Sequence, residues 1–134
     1  MFLNQLNEVT KESFLKLCVH AALSNGIFAN KEKETLYAYC REMNVKENIP
    51  DTPETLDELL EKINGETSDK EKNIYILEIL ALIKSDGIYD DKEREFMKKL
   101  AYRLGFSEET LVKYNNLLEK YLEIGKELYE AITE

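Results

Sequence analysis

Apolar residues recur along most of this chain at three- and four-residue spacing, which is the signature of helices with one buried face. Phe14, Leu17, Cys18, Ala21 and Ala22 form the first such face, and the spacing predicts a helix over about 11–24 capped by Thr10. Asn25-Gly26 closes it, because glycine accepts the left-handed backbone that ends helices. A second helix is expected over about 30–44, with Leu36, Tyr39, Cys40 and Met43 inward, and KENIPDT over 46–52 reads as a loop. Thr52-Pro53-Glu54 reads as a helix start, giving a helix over about 53–64 that ends at Asn64-Gly65. Ser68-Asp69-Lys70-Glu71 is a capping box that opens the helix containing IYILEILALI, which stops at Asp86-Gly87. Another helix is expected over about 91–104, and Ser107 caps the last, over about 108–132. That last helix carries apolar residues at 111, 114, 118, 121, 122, 128, 129 and 132, with Gly125 among them. Its stripe is read as core for the domain, with a dimer seam as the alternative. No segment alternates as a strand does. The expectation is an all-α bundle of six or seven helices in a single domain, 1–134.

The chain also repeats itself. SNGIFANKEKE over 24–34 and SDGIYDDKERE over 85–95 match at a shift of 61, so that Ser24, Gly26, Ile27, Lys31, Glu32 and Glu34 meet Ser85, Gly87, Ile88, Lys92, Glu93 and Glu95. The repeat halves span about 11–45 and 69–106. Two helix-loop-helix hairpins can bury apolar faces against each other that one copy would leave open. Ile27 and Ile88 are expected to plug the core beneath their loops.

The loops raise the question of a metal ion. An EF-hand needs oxygens at positions 1, 3, 5, 7, 9 and 12 of its loop and glycine at 6. With Gly87 at 6, Asp86, Asp90 and Glu93 fall at 5, 9 and 12, but Leu82 and Lys84 occupy 1 and 3. The first copy fits less well, with Asn25 and Glu32 as its oxygens, so a standard EF-hand is rejected. A partial oxygen cluster survives, with Asp86, Asp90, Glu93, Asp91, Asn25 and Glu32 as candidate ligands. The competing reading is a structural elbow: Asn25 and Asp86 form Asx-turns, the glycines take the left-handed region, and Asp90 with Glu93 caps the next helix.

The twice-used Asp-Gly-Ile-x-x-x-x-Glu pattern, with the opening FLNQLNEVTKESFLKL, resembles the TerB-like, tellurite-resistance family. That resemblance implies an all-α fold with internal duplication and acidic loops that bind a divalent cation. It also implies a bacterial stress-response or tellurite-resistance setting, and a protein partner in a complex peripheral to a membrane. The family's Asp maps onto Asp86 and its Glu onto Glu93 and Glu32. The first-copy Asp is Asn25 here, a departure that bears on any site shared by the two loops.

Composition narrows the functions. A net charge of −9 makes nucleic acid a poor partner, since such binding needs clustered Lys and Arg. Solvated helix faces are the common explanation of such a charge; it also suits a cation, here of the Ca or Mg type, or a basic protein. Neither a secretory leader nor a membrane span is read; the most apolar run, 74–83, carries Glu78. Cys18 and Cys40 read as buried free thiols, and a cytoplasmic setting is expected. His20, the single histidine, is expected on the helix before the first elbow and reads as a surface or packing residue, with the acidic loops it could face as the alternative. No nucleophile–base set is apparent, so no enzyme is expected. Two functions stand: a cation-binding stress module, or a metal-free helical interaction domain with a protein partner, a homodimer included.

Overall fold

The computed structural model describes all of residues 1–134 as six α-helices, with short 3-10 turns at Leu3–Gln5 and Lys84–Asp86 and no strand. The α-helices are α1 (Glu8–Ala22), α2 (Asn30–Glu42), α3 (Leu56–Glu66), α4 (Asp69–Ile83), α5 (Asp91–Arg103) and α6 (Glu108–Thr133). The all-α expectation holds.

The two hairpins are α1–α2 and α4–α5. Their first helices, α1 and α4, lie against each other at the centre, and α3 packs on α1. This explains why the apolar content of α4 is nearly continuous: it is covered by α1, α2, α5 and α6. Phe14 sits where the hairpins meet, with its ring centroid 5.7 Å from that of Tyr39 and 5.2 Å from that of Tyr75. Both phenols are buried, and each finds a carbonyl across the interface: Tyr39 donates to Glu78 O at 2.7 Å, and Tyr75 donates to Thr10 O. A buried hydroxyl left without a partner would cost stability, so these bonds fix the pairing of the hairpins as well as filling it. Cys18 and Cys40 are free and buried, as expected.

Several local expectations shift. α1 begins three residues earlier than expected, because Asn7 is its cap: Thr10 N–H donates to Asn7 Oδ1 at 2.9 Å. Thr10 is instead the third helical residue, returning the bond from Asn7 N–H to its hydroxyl at 3.0 Å. Thr10 Oγ1 also donates to the buried Glu71 at 2.6 Å, tying the start of α1 to the start of α4. α3 starts from Thr55, not Thr52, with Glu58 N–H on Thr55 Oγ1 at 3.2 Å. It runs through Gly65 to Glu66, since nothing at Gly65 demands the left-handed region.

Two corrections matter more. Ile27 and Ile88 do not plug the core; they are 66% and 60% exposed. And α6 is not core along its length. Leu118 is its one buried residue, and every residue from 119 onward is exposed. The first half of α6 packs on α4 and α5, with Leu111 and Tyr114 against the core, and the second half projects beyond the body.

Candidate functional site

The repeat seen in the sequence is matched by a repeated set of bonds at the two elbows. Ser24 Oγ donates to Ala21 O at 2.7 Å, and Ser85 Oγ to Leu82 O at 2.7 Å. Gly26 has φ 85° and Gly87 φ 83°, the left-handed region that glycine enters without steric cost. Ile27 N–H donates to Asn25 Oδ1 at 3.0 Å, and Ile88 N–H to Asp86 Oδ1 at 2.9 Å. These are Asx-turns. Ala29 N–H donates to Glu32 Oε1 at 3.0 Å, and Asp90 N–H to Glu93 Oε1 at 3.0 Å. Even the flanking cations correspond: Lys33 lies over the Phe28 ring and Arg94 over the Tyr89 ring, 5.6 and 4.3 Å from the centroids.

The elbows also meet. Asn25 Nδ2 donates to Asp90 Oδ2 at 3.1 Å, and α2 packs beside the turn that carries Asp86. Five of the six residues singled out in the sequence, Asn25, Glu32, Asp86, Asp90 and Glu93, therefore share one region. The sixth, Asp91, is exposed in the first turn of α5 and takes no part in these bonds. His20 is not among them; it lines a cleft with Ser24, Leu56, Lys92, Glu95, Phe96 and Lys99.

The copies differ at five pairs of positions, and one of these changes a helix cap. Asp90 caps α5 through its side chain, accepting Glu93 N–H at 2.8 Å, whereas its counterpart Ala29 has no oxygen to offer. The first elbow also carries Asn25 where the second carries Asp86, and the amide donates to Asp90. A carboxylate at 25 would face another carboxylate there.

Charge is crowded at this meeting point. Glu32 and Glu93 are fully buried, and the Oε2 atom of each has no hydrogen-bond partner. Burial pushes the Glu32 carboxyl up to about 7 against the bond from Ala29, with Asp86, Glu93 and Asp90 adding repulsion. Burial also raises Glu93, again with Asp90 and Asp86 contributing. Asp90 moves the other way, held low by the Glu93 N–H bond and by Asn25.

Each of Glu32, Glu93 and Asp86 spends one oxygen on its own backbone and has the other uncommitted. No three His, Cys, Asp or Glu side chains are arranged to hold an ion by themselves. The residues thus fit a dry cage poorly.

No protein-family model matches the chain, and no curated protein matches it. Among solved structures it is similar to a tellurite resistance protein from Nostoc punctiforme, with a TM-score of 0.71 at 18% identity, over 91% of this chain and 79% of that one. Identity at that level speaks to the fold. The chain therefore shares the fold of that tellurite resistance protein, as the resemblance implies.

Proposed function

We propose that this chain is a non-catalytic module of the TerB-like, tellurite-resistance kind, and that the carboxylates between its elbows hold a hydrated divalent cation of the Ca²⁺ or Mg²⁺ type. The observation that carries this reading is the pair of buried, unpartnered oxygens on Glu32 and Glu93. The elbow bonds account for one oxygen of each glutamate and leave the other without a purpose. Burying an ionised oxygen with no partner is costly, and a cation or a proton relieves it. Glu32 and Glu93 would supply those oxygens, Asp86 its uncommitted one, and Asn25 would keep Asp90 turned towards α5. The same fold in a protein described as one of tellurite resistance supports the stress setting. A protein partner, peripheral to a membrane complex, belongs to the same proposal; no helix is long and apolar enough to cross a membrane itself.

The test is a two-dimensional amide NMR titration of metal-stripped protein with Ca²⁺, Mg²⁺ and Zn²⁺ at constant ionic strength. Saturable shifts are expected at Gly26, Ile27, Gly87 and Ile88, and they should vanish in the Glu32→Gln, Glu93→Gln double variant. Elbow amides that stay put at millimolar ion would sink the cation reading. The metal-free interaction domain would then stand, and it has its own support in the exposed apolar half of α6.

A further inference from the structure

The apolar stripe of α6 keeps a strict three-four spacing: Leu111, Tyr114, Leu118, Tyr121, Gly125, Leu128 and Ile132. Those are the a and d positions of heptads. The first three pack on the body of the domain. The rest continue the same face in register with nothing beneath it. Leu117, Leu122, Ile124 and Tyr129 widen the stripe at the flanking positions. Every charge of α6 beyond its first turn, from Lys113 to Glu130, lies off it. A chain of net charge −9 can therefore approach another copy along this face without setting like charges together.

Area agrees with that partner. Leu117, Tyr121, Leu122, Ile124, Leu128, Tyr129 and Ile132 are between 48% and 79% exposed. The five Leu and Ile side chains offer about 100 Å² each and the two Tyr about 150–250 Å² each, so at these exposures they present roughly 500–600 Å², near the low end of what each partner buries in a specific interface.

Gly125 supplies an independent observation. It lies in mid-helix, has no positive φ, and a Cβ built on it would meet nothing within 4 Å. Nothing within one copy calls for a glycine there, and glycine weakens a helix interior. A crossing helix would call for it, because axes approach closely only where side chains at the contact are small.

We propose that the projecting half of α6 pairs antiparallel with the same segment of a second copy, crossing at Gly125. The register is then self-complementary, as a two-fold interface must be. Tyr121 meets Tyr129 of the second copy, Leu122 meets its Leu128, and Leu118 meets its Ile132. The tip of each helix reaches the base of the other, where Met1, Phe2, Leu77, Tyr114, Leu117 and Tyr121 line an apolar groove of about 520 Å³. The two bodies lie at opposite ends of the pair.

Sedimentation of the full chain tests this. A mass of twice 15.7 kDa is expected at about 200 µM. Leu128→Lys should raise the dissociation constant at least about tenfold while the melting of the body is unchanged. Gly125→Gln should raise helicity and yet weaken the pair, an outcome that a merely structural glycine would not give. A single-copy mass at that concentration overturns the proposal, and binding of that single copy to anionic lipid vesicles would make a membrane the cover instead. A dimer indifferent to both substitutions places the interface elsewhere and overturns it equally, as do larger open assemblies.

Discussion

Glu32 shows how a side chain can serve the fold and oppose it at once. Its Oε1 completes the start of α2, while its Oε2 is buried without a partner. With its folded pKa near 7 against an ordinary carboxyl value of 4.5, the folded protein binds more protons than the unfolded chain between those values. Stability from this residue is therefore full below the unfolded pKa and is lost as pH rises through about 7, by an amount on the order of 3 kcal/mol at most. Glu32→Gln keeps an acceptor for Ala29 N–H and removes the charge. Urea unfolding at several pH values should show the variant gaining on the parent as pH rises from 5 to 8. An unchanged difference across that range would mean that Glu32 ionises freely in the fold. A cation held at the elbows would flatten the parent's slope in the same experiment, since it replaces the proton. Glu71, buried at the other end of α4, behaves oppositely. Burial works against its ionised form, but bonds from Thr10, Ser68 and Asn7 outweigh this and hold its pKa low. Its contribution is present above the unfolded pKa and is lost in acid.

At the scale of the element, the elbows depend on their glycines. Gly87→Ala places a Cβ where φ is 83°, with no neighbour to clash against, so the cost is backbone strain alone. About 1–2 kcal/mol is expected. Gly65→Ala, in a helix and also in open space, should instead stabilise by up to about 1 kcal/mol. Chemical denaturation of the two variants side by side checks both signs; a neutral Gly87→Ala would mean that the turn relaxes. These elbows were legible in the sequence because Ser, Gly and the helix-starting Glu recur at one shift and each has a distinct backbone duty. The orientation of Ile27 and Ile88 was not, because an apolar residue in a repeat suggests burial. The Asx-turn ties up the N–H of each isoleucine and leaves its side chain turned to solvent. The start of α1 differs from the expectation because Asn7 and Thr10, three apart, both belong to one reciprocal box. The contact of Asn25 with Asp90 was beyond reach for a different reason: it depends on how the hairpins pack, and periodicity carries no packing angle.

On the scale of the whole molecule, α6 presents the same difficulty in larger form. Its stripe reports an apolar face and not what covers it, so the sequence supported core and seam alike. The boundary lies near Leu118, where Lys84 reaches across to Glu119 at 3.4 Å and the body ends. Amide hydrogen exchange across α6 should divide there. Amides before Leu118 should be protected at any concentration, while those over 121–132 should be protected only where copies pair. Uniform protection of α6 in dilute protein would contradict the projection itself.

The projecting half has a consequence for how the protein tumbles. From Glu119 to Thr133 a helix at 1.5 Å per residue extends about 22 Å, beside a body whose radius of gyration, for roughly a hundred residues, is about 13 Å. A single copy is a ball with a handle, and its rotational diffusion is anisotropic. Helical N–H vectors point along the helix axis, so those of α6 lie near the long axis of the molecule, where fast spinning does not move them and only slow end-over-end tumbling does. Their relaxation would set α6 apart from helices lying across that axis, even if its backbone were no less rigid than theirs.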